Sequence, residues 1–178
     1  MKKIIFISLA FFVFTGLIVF ADETVQSPKV KEVEGSWYAY MEFTGPYNDM
    51  QNQINKFIAE FFGQKLNPAG PSLSLYFNSP SQVKKPEELR WAFGFIVSPE
   101  TAPKEPIKKM ELKKQKAVVY LHKGPYTNLP KSYKIASEFL KDNGYRIAGP
   151  IAEKYLNNPM EVTPENLQTE IIIPVAKK

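Results

Sequence analysis

The sequence predicts an α+β domain: one strand-helix-strand-strand unit used twice with pseudo-twofold symmetry. An antiparallel-rich sheet would carry two helices on one face and a ligand groove on the other. Three observations predict this. The first is repetition. Gly45-Pro46-Tyr47 returns as Gly124-Pro125-Tyr126, Ala69-Gly70-Pro71 as Ala148-Gly149-Pro150, and Tyr76-Phe77-Asn78-Ser79-Pro80 as Tyr155-Leu156-Asn157-Asn158-Pro159, each about 79 residues on. After a one-residue shift, Pro86-Glu87-Glu88-Leu89 returns as Pro164-Glu165-Asn166-Leu167. Anchors in one order at one spacing mark an internal repeat, and a repeat decides architecture before any local reading. The second is period: each copy places a stretch of helical spacing between stretches rich in β-formers. The third is composition: 178 residues, 44% hydrophobic and 13% aromatic, make a globular chain.

The elements follow in order. Residues 1–21 read as a secretory signal peptide. Met1-Lys2-Lys3 is basic, Ile4 to Phe20 is apolar apart from Ser8, Thr15 and Gly16, and Val19-Phe20-Ala21 puts small residues where a signal peptidase cuts. The alternative is an uncleaved anchor with the domain outside the cytoplasm, although the run is short for a span of roughly 20 residues. Residues 22–34 form a polar lead-in with room for a strand at its end. The domain proper is expected over 35–176: repeat one at 35–97, a Pro-rich connector at 98–109 and repeat two at 110–176. Trp37 to Phe43 is a strand, with Tyr38, Tyr40 and Glu42 on one face and Trp37, Ala39, Met41 and Phe43 on the other. Met50, Ile54, Phe57, Ile58, Phe61 and Phe62 give a helix over about 48–63 one apolar face, and Asn48 or Asp49 is suited to cap it. Strands are expected at 72–77 and 89–97. In the second copy, 110–123 is a strand or hairpin, Tyr133, Ala136, Phe139 and Leu140 mark a helix over about 130–142 ended by Asn143-Gly144, and strands follow at 151–156 and 167–175.

Composition excludes several chemistries. There is no cysteine, hence no disulfide, catalytic thiol or cysteine metal site. The single histidine, His122, stands beside Lys123 at a strand end, where a solvent-facing role is expected, so no metal centre is predicted. There is no Gly-rich phosphate loop and no nucleophile elbow. Net charge is +5, falling to +3 without Lys2 and Lys3, so nucleic acid is not an expected partner. The lysines at 104, 108, 109, 113, 114 and 116 read as a solvated hairpin.

Glu170 stands out as one carboxylate inside the apolar strand Thr169-Glu170-Ile171-Ile172-Ile173-Pro174-Val175. The matching position in the first copy is Ala92, so the scaffold does not demand an acid there. A groove-floor acid meeting a cationic or polar ligand and an edge-strand glutamate facing water are both open readings. The strand-borne aromatics Trp37, Tyr38, Tyr40, Phe43, Tyr47, Tyr76, Trp91, Phe93, Phe95, Tyr120, Tyr126 and Tyr155, with Tyr133 on a helix, are core by default. A subset around one acid would form a box for a flat or cationic molecule.

Lys123-Gly124-Pro125-Tyr126, Leu129-Pro130, Tyr133, Asn143-Gly144-Tyr145, Ala148-Gly149-Pro150, Tyr155-Leu156-Asn157 and Thr169 to Val175 together resemble the GyrI-like small-molecule-binding domain. This is the effector-binding domain of multidrug-responsive bacterial regulators, related to the haem-associated SOUL proteins. The resemblance spans roughly residues 30–176. It implies a duplicated strand-helix-strand-strand fold, a ligand-contacting glutamate at Glu170 and Ile172 lining the same pocket. Tyr38, Tyr40, Trp91 and Tyr126 are the remaining ligand-binding candidates. Only the signal and a short lead-in precede the domain, so the expected protein is an exported, stand-alone, periplasmic or secreted version without regulatory output. Its expected function is extracytoplasmic binding of small apolar or aromatic molecules, cationic ones among them, with no cofactor. One alternative is a hydrolase of electrophilic small molecules, with Glu170 as general base and Tyr126 or Tyr40 as donor. A third reading is tetrapyrrole binding.

Overall fold

The computed structural model describes residues 27–178; the expected signal peptide and the first residues of the lead-in lie outside them. Repeat one comprises β1 (Lys29–Val33), β2 (Ser36–Thr44), α1 (Met50–Gly63), β3 (Ser72–Tyr76) and β4 (Arg90–Val97). Repeat two comprises β5 (Lys108–Leu112), β6 (Gln115–Lys123), α2 (Leu129–Asp142), the short β7 (Tyr145–Ile147), β8 (Ile151–Tyr155) and β9 (Gln168–Lys177). The strands pair antiparallel throughout, in the order β1-β6-β9-β8-β3-β4-β2-β5, with β7 joined to β9. The fold is α+β, a curled antiparallel half-barrel with two helices.

Two elements extend the expected unit. The lead-in ends in β1, which opposes β6, with Lys29 against Val119 and Val33 against Gln115. Its counterpart β5 starts inside the expected connector and opposes β2, with Tyr38 against Met110. Each repeat therefore lends its first strand to the other half. β7 was not expected: three residues carry too little pattern to read as a strand.

Alternation sorts the strands onto two faces. On the helix side, Ala39, Met41, Phe43, Trp91 and Phe93 pack with Phe57 and Phe61 of α1. Val118, Ile171, Ile173 and Val175 pack with Ala136 and Leu140 of α2. The helix-free face has its own core, where curling buries Tyr38, Leu73, Leu75, Ala92, Ala117, Val119, Ala152 and Ile172. Gly94 makes that curvature possible. An added Cβ would run into the Ala39 carbonyl and stand 2.8 Å from both the Tyr38 ring and Tyr40 Cα.

The Gly-Pro-Tyr segments are strand-to-helix turns in both copies. Gly45 has φ 120° and Gly124 φ 116°, a region that favours glycine. Their amides donate to Leu89 O and Leu167 O, each at 2.9 Å, tying each turn to the residue just before its repeat's last strand, β4 or β9. Each prolyl residue precedes a single 3-10 turn that leads into the helix. Asp49 stands at the N-cap of α1 without a capping bond, because its carboxylate accepts from Asn52 and Gln53.

Candidate functional site

β3 and β8 meet at the centre of the sheet with Ser74 opposite Glu153. The repeat relates Ser72, Ser74 and Tyr76 to Ile151, Glu153 and Tyr155, so the local twofold passes through the Ser74–Glu153 pair. Both side chains are buried, and Glu153, at 5% exposure, is the only buried carboxylate among the described residues.

Three tyrosines hold that carboxylate. Tyr133 of α2 donates to Oε1 at 2.7 Å, while Tyr155 and Tyr76 donate to Oε2 at 3.0 and 3.1 Å. Ser74 Oγ lies 3.0 Å from the Tyr155 hydroxyl. Tyr47 and Tyr126, from the two turns, close the cluster symmetrically. Tyr47 meets Tyr76 edge-on with centroids 5.7 Å apart, and Tyr126 meets Tyr155 at the same 5.7 Å. Burial first, then the charge of Glu153, raises the hydroxyl pKa of Tyr133, Tyr155, Tyr47 and Tyr126 above the ordinary value. Tyr76 is raised by burial, then by Tyr155 and Glu153. At neutral pH these hydroxyls are protonated donors. No Lys or Arg among the described residues forms an ion pair with Glu153.

The residues singled out from sequence fall on both faces. Glu170 lies on the helix-free face, with Lys154 at 3.3 Å and Lys31 at 3.9 Å, and its hydrogen bond is to Lys154. Ile172 and Tyr38 lie on that same face in the filled core; Tyr38 donates to Leu73 O at 2.8 Å and stacks on Tyr40 at 5.2 Å. Trp91 and Tyr126 lie on the helix face, Trp91 packed on Phe43 and Tyr126 beside Tyr155. The sheet thus separates Glu170 from Tyr126, and the buried acid lies on the face opposite the one expected to carry the groove.

His122 is not solvent-facing. It is 4% exposed, because even-numbered residues of β6 point at α2. Its Nε2 faces the Gly124 and Pro125 carbonyls at 3.1 and 3.2 Å, contacts in which the ring N–H donates, and its Nδ1 lies 2.8 Å from Ser132 Oγ. Both ring nitrogens are occupied within the protein. No three metal-ligating side chains gather among the described residues.

Sequence reasoning missed Glu153. Ile151-Ala152-Glu153-Lys154-Tyr155 reads as an ordinary strand with a solvated Glu-Lys step. The signal was nevertheless present: the same repeat that sets Glu170 against Ala92 sets Glu153 against Ser74.

The architecture has solved counterparts. EcmrR in its DNA-bound transcription complex superposes with TM-score 0.73 at 22% identity over 85% of this chain, which spans 58% of that one. The isolated EcmrR C-terminal domain matches with TM-score 0.69 at 22% identity, covering 86% of this chain and 99% of that one. An uncharacterised Listeria innocua protein gives 0.66 at 14% identity, covering 85% and 93%. SAV2435, solved bound to tetraphenylphosphonium, gives 0.58 at 14% identity, covering 84% and 94%. No curated protein matches the sequence. The family model for the GyrI-like small molecule binding domain matches residues 26–176, nearly all that is described, and the chain belongs to that family.

Proposed function

We propose that the chain binds small lipophilic organic cations between its two helices, with Glu153 as the anchor. One observation carries this reading: a buried carboxylate bonded by neutral tyrosine hydroxyls and, among the described residues, paired with no basic side chain. A buried anion is costly to keep uncompensated, and a bound cation offsets that cost. The surrounding rings offer their negative faces to the same cation. Tetraphenylphosphonium, the ligand of SAV2435, is a suitable probe.

The test compares Glu153→Gln with Glu170→Gln, measuring tetraphenylphosphonium affinity by calorimetry. Loss of the buried charge is expected to weaken binding on the order of a hundredfold, with Glu170→Gln near wild type. Equal affinity in wild type and Glu153→Gln would overturn the assignment. A loss confined to Glu170→Gln would move the anchor to the helix-free face.

We also infer that the domain acts outside the cytoplasm, on the strength of the basic start, the apolar run and the small residues before Asp22. An exported protein whose N-terminus is Asp22 is the expected product, and N-terminal sequencing checks it. A hydrolase remains a second reading, because Tyr133 and Glu153 stand at 2.7 Å as a donor and a base would. Consumption of an epoxide probe, abolished in Glu153→Gln, would favour it over binding alone.

A further inference from the structure

The two ends of the tyrosine cluster are built from unlike residues. In repeat one, Phe43 opposes Trp91 and Trp91 opposes Tyr76. In repeat two, His122 opposes Thr169 and Thr169 opposes Tyr155. The relation that exchanges Tyr76 with Tyr155 therefore exchanges Trp91 with Thr169 and Phe43 with His122. The repeat-one end is filled and apolar, with the Phe43 and Trp91 rings 4.7 Å apart. At the repeat-two end a threonine replaces the indole, and the neighbouring imidazole is committed to Ser132, Gly124 and Pro125.

Thr169 is fully buried, and its Oγ1 is the one buried side-chain polar atom among the described residues with no hydrogen-bond partner. A buried hydroxyl without a protein partner opposes folding, whereas valine would occupy the same volume without that cost. Thr169 and Glu153 are diagonal neighbours on one sheet face, about 7–8 Å apart. A two-carbon arm bridges that span, with an ionic contact at one end and a hydrogen bond at the other. Tyr126, exposed to 37%, packs on Tyr155 at this end.

We propose that the site is polarised. Thr169 Oγ1 hydrogen-bonds a hydroxyl, amide or carbonyl group on one arm of the ligand. The cationic centre rests on Glu153, and an apolar or aromatic arm lies toward Tyr47, Tyr76 and Trp91. This inference rests on Glu153 as the cation anchor and narrows the ligand class to cations with one apolar and one hydrogen-bonding arm.

Two probes of equal size and charge test it: benzyl(hydroxyethyl)dimethylammonium and benzyl(propyl)dimethylammonium. Calorimetry is run on wild type, Thr169→Val, Thr169→Ser and Glu153→Gln. Wild type is expected to prefer the hydroxyl probe by about fivefold, the scale of one neutral hydrogen bond. Thr169→Val should abolish the preference while melting no lower than wild type without ligand, and Thr169→Ser should retain it. Glu153→Gln should weaken both probes alike. If both probes bind through Glu153 without a hydroxyl preference, or if the preference survives in Thr169→Val, the polar end is refuted and the cation anchor stands. If neither probe binds wild type, both readings fall.

Discussion

Gly94→Ala is expected to destabilise the domain by about 3 kcal/mol or more, the scale of an overpacked core that cannot relax cheaply. The obstruction is largely backbone. A Cβ at Gly94 meets the Ala39 carbonyl of the paired strand, Tyr40 Cα and the Tyr38 ring. None is the free end of a flexible chain, because Tyr38 is held by its bond to Leu73 O and by its stack on Tyr40. Relief requires β2 and β4 to separate where eight residue pairs run from Trp37–Val97 to Thr44–Arg90. Gly63→Ala provides the contrast: a methyl group there meets nothing within 4 Å. That substitution should be neutral or stabilising by up to about 1 kcal/mol. Urea unfolding of the two variants beside wild type measures both effects. Equal midpoints would show that the sheet does not depend on the bare position.

The second large effect is alkaline instability. Burial leads the causes that raise the hydroxyl pKa of Tyr38, Tyr76, Tyr133 and Tyr155. The unfolded chain releases these protons near pH 10, while the folded protein holds them to higher pH. Their contribution is therefore intact below about pH 10 and lost as pH rises toward the folded-state values. Each retained proton changes stability by about 1.4 kcal/mol per pH unit, so four together give a limiting slope of about 5.5 kcal/mol per unit. A typical domain stability of about 5–15 kcal/mol is then consumed within a few units above pH 10. Tyrosinate absorbance and far-ultraviolet circular dichroism should change together in one transition. Gradual ionisation ahead of unfolding would show that the hydroxyls are not held by the fold.

The repeat made most of the architecture legible. It depends on turn chemistry, and turn residues such as Gly45-Pro46 and Gly124-Pro125 are stereochemically irreplaceable enough to survive as matching strings. The helices were legible because Phe57, Phe61, Ala136 and Leu140 keep a 3.6-residue period. β1 was only half visible, since Lys29–Val33 is an edge strand whose exposed lysine and glutamate carry no apolar alternation. The acid was harder to read. A carboxylate within isoleucines draws attention, yet Glu170 tolerates its place because the helix-free face lets Lys154 and Lys31 reach it. Glu153 hides beside Lys154 because neighbours along a strand point to opposite faces. Which face a helix covers is a tertiary fact, and only the pairing of β3 with β8 brings Tyr76, Tyr133 and Tyr155 onto one carboxylate. His122 was misjudged for the same reason, since α2 lies over that end of β6.

The Ser74–Glu153 pair bears on how such an asymmetric site can arise. Two identical half-sized chains assembled as a dimer would present every charge in duplicate. A residue at the centre of their interface would face its own copy. An acid there would confront a second acid on the neighbouring strand, and mutual repulsion would drive one of them to take up a proton. Joining the halves into a single polypeptide lifts that restriction. One half can then keep the carboxylate while the other supplies serine, which gives a near-symmetric aromatic cluster a single acid. Covalent fusion is thus a precondition for the monovalent recognition proposed for this site, and a split version of the chain would reproduce its shape only if the two halves remained different.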